Sequence, residues 1–194
     1  MSVAMKEDRR VRKTKQALRE SLAELLTEKS IQNITIRELT DKADIHRSTF
    51  YANFTDIYDL HSQIEDSIIQ EISNIFSENR KTDSTVFFEI LFTYISENGS
   101  VCRMFLGKNV SPTFCSRLTA LLKEARLDCL RDNYGVTDTA EELEYYAHFY
   151  LFGSLAVVDK WADENFKYSI EQLVKIFANM DINFGNFIKS KFAQ

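Results

Sequence analysis

The stretch from Thr35 to Phe54, TIRELTDKADIHRSTFYANF, constrains this chain more than any other. Thr35-x-x-Glu38 reads as a capping box. The Thr35 hydroxyl accepts from the backbone N–H of Glu38, the Glu38 carboxylate reaches back to the N–H of Thr35, and a helix starts at about Ile36. Ile36, Leu39 and Ala43 give that helix one apolar face. It ends near Ala43, and the next helix must leave at a sharp angle. Such a turn calls for a residue at positive φ, which Gly supplies best and Asn or Asp next best, so Asp44 is expected to hold it. Ile45 then plugs the core between the helices. A second short helix is predicted from His46 to Asn53, with Phe50 facing in and Phe54 closing it. Two helices joined this tightly form a helix-turn-helix, whose second helix can sit in a DNA major groove while its back is held in a core.

The outer side of that second helix carries the right chemistry. Arg47, Ser48 and Thr49 lie at its start, where groove contacts concentrate: Arg pairs bidentately with guanine, and Ser or Thr meets several bases or a thymine methyl. Tyr51 is one turn on and offers a hydroxyl to a phosphate. His46 is placed to cap the helix or to reach a phosphate. Thr35 and Arg37 open the preceding helix, whose N-terminus favours a phosphate. Lys13 and Lys15, on an earlier helix, add phosphate contacts that position without reading sequence. The bland alternative is a plain structural helix pair, because the fold unit alone does not dictate function.

Net charge is −5, which by itself argues against a nucleic-acid partner. Its distribution argues the other way. Residues 1–19 hold seven basic side chains (Lys6, Arg9, Arg10, Arg12, Lys13, Lys15, Arg19) against Glu7 and Asp8, while residues 61–194 carry a net of −6. A basic end on an acidic body is the asymmetry of a DNA-binding head joined to a domain that does not bind DNA. A solvated basic tail is the alternative.

One Pro and five Gly in 194 residues leave few breaks and favour helices throughout. One helix is expected from about Asp8 to Lys29, with Val11, Leu18, Leu22, Leu25 and Leu26 at helical spacing. Thr55-Asp56 caps a long helix from about Ile57 to Glu78 with Leu60, Ile64, Ile68, Ile72 and Phe76 on one face. Further helices are predicted over Val86–Glu97, over Val101–Leu106 ending at Gly107, and from Ser111-Pro112 to just before Gly135. Thr139-x-x-Glu142 opens one through Trp161, and Ser169-x-x-Gln172 opens a last one with a break or kink expected at Asp181–Gly185. No sustained strand alternation and no internal repeat appear, so the fold class is all-α.

Most of the fifteen Phe and eight Tyr fall after residue 75. They build either a solid core or the wall of an apolar pocket, for which Phe88, Phe92, Tyr94, Phe105, Tyr146, Tyr150 and Trp161 are the candidates. Cys102, Cys115 and Cys129 are odd in number and form no CxxC, so a metal site is not expected, no cofactor is implied, and buried free thiols are the expected state, with a redox sensor as the alternative. His46, His61 and His148 are scattered and no Gly-rich phosphate loop occurs, which gives no catalytic constellation and argues against an enzyme. With no apolar leader and no apolar run of roughly 18 residues, the expectation is a cytoplasmic protein without a membrane partner.

Arg12-Lys13-Thr14-Lys15-Gln16-Ala17-Leu18, Ile34–Leu39 and Ala43–Phe54, with Leu60 trailing in register, resemble in order and spacing the N-terminal signature of the TetR family of bacterial transcriptional regulators. The resemblance covers about residues 9–62. It implies an all-α homodimer with a three-helix helix-turn-helix head (1–55) and a C-terminal helical bundle (56–194), the helix 56–78 connecting them. It further implies double-stranded DNA with a palindromic operator as partner, a small-molecule effector bound in the bundle, and a dimer interface on the last two long helices. A ligand-responsive repressor is the leading expectation; the alternative is a TetR-like co-activator or interaction protein gated by a protein partner. Three positions depart from the pattern: Asp44 stands for the usual turn Gly, His46 for a frequent Ser, and Ile57-Tyr58 for a usual Lys followed by an acidic residue. Ile57 and Tyr58 remove a familiar phosphate contact, and His46 would make binding mildly pH-sensitive if it touches phosphate. Leu151-Phe152-Gly153-Ser154-Leu155 followed by Trp161 resembles the last-but-one helix of a subgroup that includes regulators of dihydroxyacetone kinase operons. Gly153 is read either as a close crossing at the dimer seam or as a tolerated surface Gly, and Gly153, Leu155, Leu173 and Phe177 are the interface candidates.

Overall fold

The computed structural model describes residues 9–105, 111–136 and 141–192. Among them the chain forms nine α-helices and one 3-10 turn and no strand: α1 Arg9–Glu28, the turn Ile31–Asn33, α2 Ile36–Lys42, α3 Arg47–Tyr51, α4 Ile57–Glu78, α5 Ser84–Glu97, α6 Gly99–Met104, α7 Pro112–Tyr134, α8 Glu141–Asp163 and α9 Ile170–Phe192. The expected Asp8 start of α1, the Leu106-Gly107 end of α6 and the Thr139 cap of α8 lie outside the described residues. Contacts divide the chain into two compact units, Met1–Ser67 and Ile68–Gln194, and α4 runs through both.

In the first unit Leu18, Leu22 and Leu25 of α1, Leu39 of α2, Phe50 of α3, Phe54, and Leu60 and Ile64 of α4 are all buried. The helical spacing that placed the Leu residues on one stripe is what brings them to one core. Thr40 is also buried; its hydroxyl donates to the carbonyls of Ile36 (2.8 Å) and Arg37 (3.0 Å), so it is satisfied inside its own helix.

In the second unit α5 packs along α9, and α7 packs against both α8 and α9. One core gathers Phe88, Phe92, Val158, Trp161, Leu173 and Phe177; another gathers Leu130, Val136, Leu143, Ile188 and Phe192. Trp161 donates its indole N–H to the Tyr168 carbonyl at 2.8 Å, satisfying its one polar atom.

The helix starts follow local chemistry. Asp83 accepts from Thr85 N–H at 2.8 Å, which starts α5 at Ser84, two residues earlier than the apolar pattern suggests. Ser111 accepts from Phe114 N–H, with Pro112 in the first turn of α7. Ser169 and Gln172 exchange the two bonds of a capping box at α9. α7 ends at Gly135, whose φ of 66° suits the left-handed C-cap.

Two expectations are corrected. α9 runs unbroken through Asp181–Gly185. Asp181 is buried against an Arg on α7, and Gly185 is where the Tyr134 ring of α7 docks: a Cβ there would lie 2.0 Å from Tyr134 Cζ. Both residues are poor helix formers held helical by what packs on them. α3 is shorter than His46–Asn53, because the Asn53 side-chain amide takes the Thr49 carbonyl at 2.8 Å and ends the helix early.

Candidate nucleic-acid interface and internal cavity

The head is fastened from behind. Thr35 Oγ1 accepts from Glu38 N–H at 3.2 Å. The Glu38 carboxylate takes Lys29 Nζ, which holds its pKa below the usual carboxylate range, and the Thr35 backbone N–H contributes in the same direction. Lys42 pairs with Glu24 at 2.8 Å, tying the end of α2 to α1. The turn is set by Asp44 at φ 53°, and Ile45 N–H donates across it to the Thr40 carbonyl at 3.0 Å. A non-glycine residue there bears a small steric cost, least for Asp and Asn. Phe50 is fully buried and packs on Phe54 with ring centroids 5.6 Å apart, so α3 cannot rotate about its own axis without emptying the core.

With the back of α3 fixed, its front is decided. His46, Arg47, Ser48 and Tyr51 are exposed together with Thr35, Arg37 and Lys13; Lys15 and Thr49 are half-buried. His46 occupies the N-cap position with extended backbone, but its ring makes no capping bond. Arg37 reaches Asp41 at 3.6 Å, a loose exposed pair of little energetic weight. The start of α4 explains one departure seen in the sequence. Ile57 is only 6% exposed, so this position belongs to the core, whereas Tyr58 is 57% exposed. Asp56 and Asp59 cap α4: Asp56 accepts from Asp59 N–H, and Asp59 accepts from Thr55 N–H, each at 2.8 Å. The Thr55 N–H holds the Asp59 carboxyl below its usual range.

The second unit carries a cavity of about 760 Å³, half open to solvent, with a mostly apolar wall. Of the seven aromatics proposed for such a pocket, Phe88, Phe92, Phe105 and Tyr150 line it; Tyr94, Tyr146 and Trp161 do not. Trp161 is packed into the core with Phe92 and Phe166, and Tyr146 packs on Phe187 and Phe192. The remaining wall comes from residues the aromatic pattern did not single out, among them Phe76, Phe114, Leu118, Leu121 and Leu122.

Also in that wall is a buried polar cluster. Arg126 Nη1 donates to Asp181 Oδ1, and Tyr150 Oη donates to the same oxygen at 3.0 Å. The guanidinium stacks on Tyr150 at 4.2 Å and Phe184 at 4.8 Å. Burial, and then the Asp181 charge, push the Tyr150 hydroxyl far above its ordinary pKa, so it stays protonated and donating. Burial likewise raises the Cys129 thiol, which therefore stays a thiol. Cys102 is buried, but Cys115 is exposed, against the expectation of three buried thiols. Among the described residues no group of His, Cys, Asp and Glu is arranged to hold a metal, and no helix is long and apolar enough to cross a membrane.

Residues 82–182, more than half of the chain, match the family described as "Transcriptional regulator C-terminal region", TetR_C_8. The chain belongs to the TetR family of transcriptional regulators. The match lies in the second unit and is independent of the helix-turn-helix residues from which the resemblance was read. Solved structures of low identity share the fold of this TetR-family chain. A TetR transcriptional regulator from Streptococcus agalactiae aligns at 22% identity with a TM-score of 0.59, covering 92% of this chain and 99% of that one. The dihydroxyacetone kinase operon activator DhaS aligns at 17% and 0.61, covering 93% and 98%. The fatty acid degradation regulator FadR from Bacillus halodurans aligns at 16% and 0.62, covering 86% and 97%. No curated protein sequence matches the chain.

In this TetR-family regulator the interface candidates separate. Leu173 and Phe177 are buried in the core of the second unit, where Phe177 packs on Phe88 and Phe92. Leu155 is half-buried and lines the cavity. Gly153 is exposed on α8, and among the described residues nothing lies within 4 Å of an added Cβ. The apolar side chains that α8 and α9 do leave exposed include Phe149, Phe152, Ile176, Met180 and Phe187, which no periodicity argument separated from the core.

Proposed function

We propose that this regulator is a homodimeric, cytoplasmic repressor that binds a palindromic operator through α2 and α3 and is released by a small molecule held in the bundle. The observation that carries the DNA reading is the division of α3. Phe50 anchors its back while His46, Arg47, Ser48 and Tyr51 project on a turn fixed by Asp44. Arg47, with Ser48 and the half-buried Thr49, reads base edges; Lys13, Lys15, Thr35, Arg37, His46 and Tyr51 hold phosphates, with Tyr58 standing in for the Lys that Ile57 displaces. A gel-shift assay against DNA flanking the gene tests this. Binding is expected at low salt and should weaken steeply as salt rises, because Lys and Arg displace condensed counterions. No binding to any of that DNA at low salt would sink it.

Dimerisation is supported by the number of large apolar side chains that α8 and α9 leave in water, Phe149, Phe152, Ile176, Met180 and Phe187 among them. Phe149 alone is 79% exposed. Sedimentation showing a monomer at micromolar concentration counts against it. The cavity favours a small molecule over a protein partner as the gate. A thermal-shift screen of small molecules, followed by gel shifts with the hits, tests that step; hits that stabilise the protein but leave DNA binding unchanged would refute ligand gating.

A further inference from the structure

The polar cluster in the cavity wall is incompletely satisfied, and the unsatisfied part has a definite shape. Arg126 is 8% exposed, and of its three nitrogens only Nη1 is bonded, to Asp181. Nε and Nη2 are buried and have no hydrogen-bond partner among the described residues. A guanidinium cannot relieve this by losing its proton. The Tyr150 and Phe184 rings lie 4.2 and 4.8 Å from its central carbon and 4.6 Å from each other, so both sit to one side of it. Nε and Nη2 form one edge of the guanidinium, with two parallel N–H donors. That edge matches a planar acceptor with two oxygens, the geometry of a carboxylate.

The other cations in the wall are differently placed. Arg80 is held by Asp128 at 3.2 Å and by Asp132 at 2.5 Å, and Lys81 is exposed. Arg126 is therefore the buried cation of the cavity, set in a wall whose surface is mostly apolar. Asp181 already balances its charge, so each negative charge brought in is uncompensated and one costs less than two. A dianionic phosphate would bring two, with only one fork to receive it.

We propose that the effector is an apolar molecule bearing one carboxylate, which docks bidentately on Nε and Nη2 of Arg126 while its body fills the cavity. This rests on the reading of the cavity as the effector site and deepens it. In the bound state Asp181 keeps Nη1, Tyr150 keeps Asp181, and the ligand supplies the acceptors that the protein lacks.

The test pairs probes that differ only in the head group: decanoate against decanol, and phenylbutyrate against phenylbutanol. Binding to the intact chain is measured by calorimetry and thermal shift. The carboxylates are expected to bind at least about tenfold tighter, as hydrogen bonds to a charged group imply. Arg126→Lys keeps the charge but loses the fork. Arg126→Met with Asp181→Asn removes the pair without stranding a buried charge. Either variant, shown to fold by its melting transition, should still bind the alcohols and lose the carboxylate preference to within about threefold. Equal binding of acid and alcohol to the unmodified chain overturns the carboxylate assignment and leaves the cavity reading standing. A carboxylate preference that survives in both variants overturns the role of Arg126. If neither series binds, the effector-site reading fails and this proposal fails with it.

Discussion

Replacing Gly185 by Ala pits helix propensity against packing at one defined contact. Gly185 lies inside the continuous α9, where Ala is intrinsically better by about 1 kcal/mol. The added Cβ would, however, sit 2.0 Å from Cζ, 2.3 Å from Oη and 2.4 Å from Cε1 of Tyr134, against 3.4–4 Å for ordinary contact. The ring must move by more than an ångström. On one side it is held, because it closes α7 just before the Gly135 cap and packs against the core of Leu130, Val136 and Ile188; on the other it borders the cavity, the direction left for it to move. Overpacking of this kind costs about 1–3 kcal/mol, so Gly185→Ala is expected to be a net loss of about 1 kcal/mol. In a Tyr134→Ala background the obstacle is gone and the same substitution should stabilise by about 0.5–1 kcal/mol. The coupling between the two positions is then about 1–3 kcal/mol. Urea unfolding of all four proteins, at one protomer concentration because assembly shifts apparent stability, measures it. Equal, favourable effects of Gly185→Ala in both backgrounds would show that the ring does not dock there.

Arg47→Ala should relax sequence preference among operator variants, while Lys15→Ala should weaken all sequences alike and lower the salt slope by roughly 0.9; gel shifts on a base-substituted panel distinguish the two, and the reverse pattern would refute the roles assigned. Asp44→Gly should stabilise the head by up to about 1 kcal/mol and Asp44→Val should cost about 1–2 kcal/mol, because φ is 53° there; equal thermal midpoints would mean the turn is not left-handed. Burial holds the His61 imidazole below its usual value near 6.5, with Glu65 opposing. Below that value the unfolded chain binds a proton that the folded one does not, so stability falls as pH drops from about 7 through the depressed folded value; His61→Gln should flatten that limb in melts taken from pH 7.5 to 5, and an unchanged slope would discount His61. Phe149→Glu with Phe187→Glu should convert the dimer to monomer in sedimentation and remove binding to a two-half-site operator; a variant that stays dimeric would move the interface off this patch.

The parts legible in the sequence are those whose partners lie within a few residues. Thr35 with Glu38, Ser111 with Phe114, and Ser169 with Gln172 are helix starts written in adjacent side chains. Asp44 was readable as the turn residue because two helices converge on it and few residue types tolerate positive φ. Leu18, Leu22, Leu39 and Phe50 were readable as core from their spacing, and with that core placed, the outer face of α3 follows. Which aromatics of the second unit face a cavity was not readable, since Phe92 and Trp161 lie on equally apolar faces and differ only in what packs opposite them.

By itself, then, the sequence determined an all-α chain with a helix-turn-helix head, because caps, turns and 3.6-residue periodicity are local. Tertiary structure alone decided the rest. The Arg126–Asp181 bond joins residues 55 apart, and the Tyr134 ring meets Gly185 across α7 and α9. Read locally, Asp181 and Gly185 looked like a break in α9. The helix instead runs through both, because a buried guanidinium and an aromatic ring on a neighbouring helix outweigh propensities of about 1 kcal/mol or less.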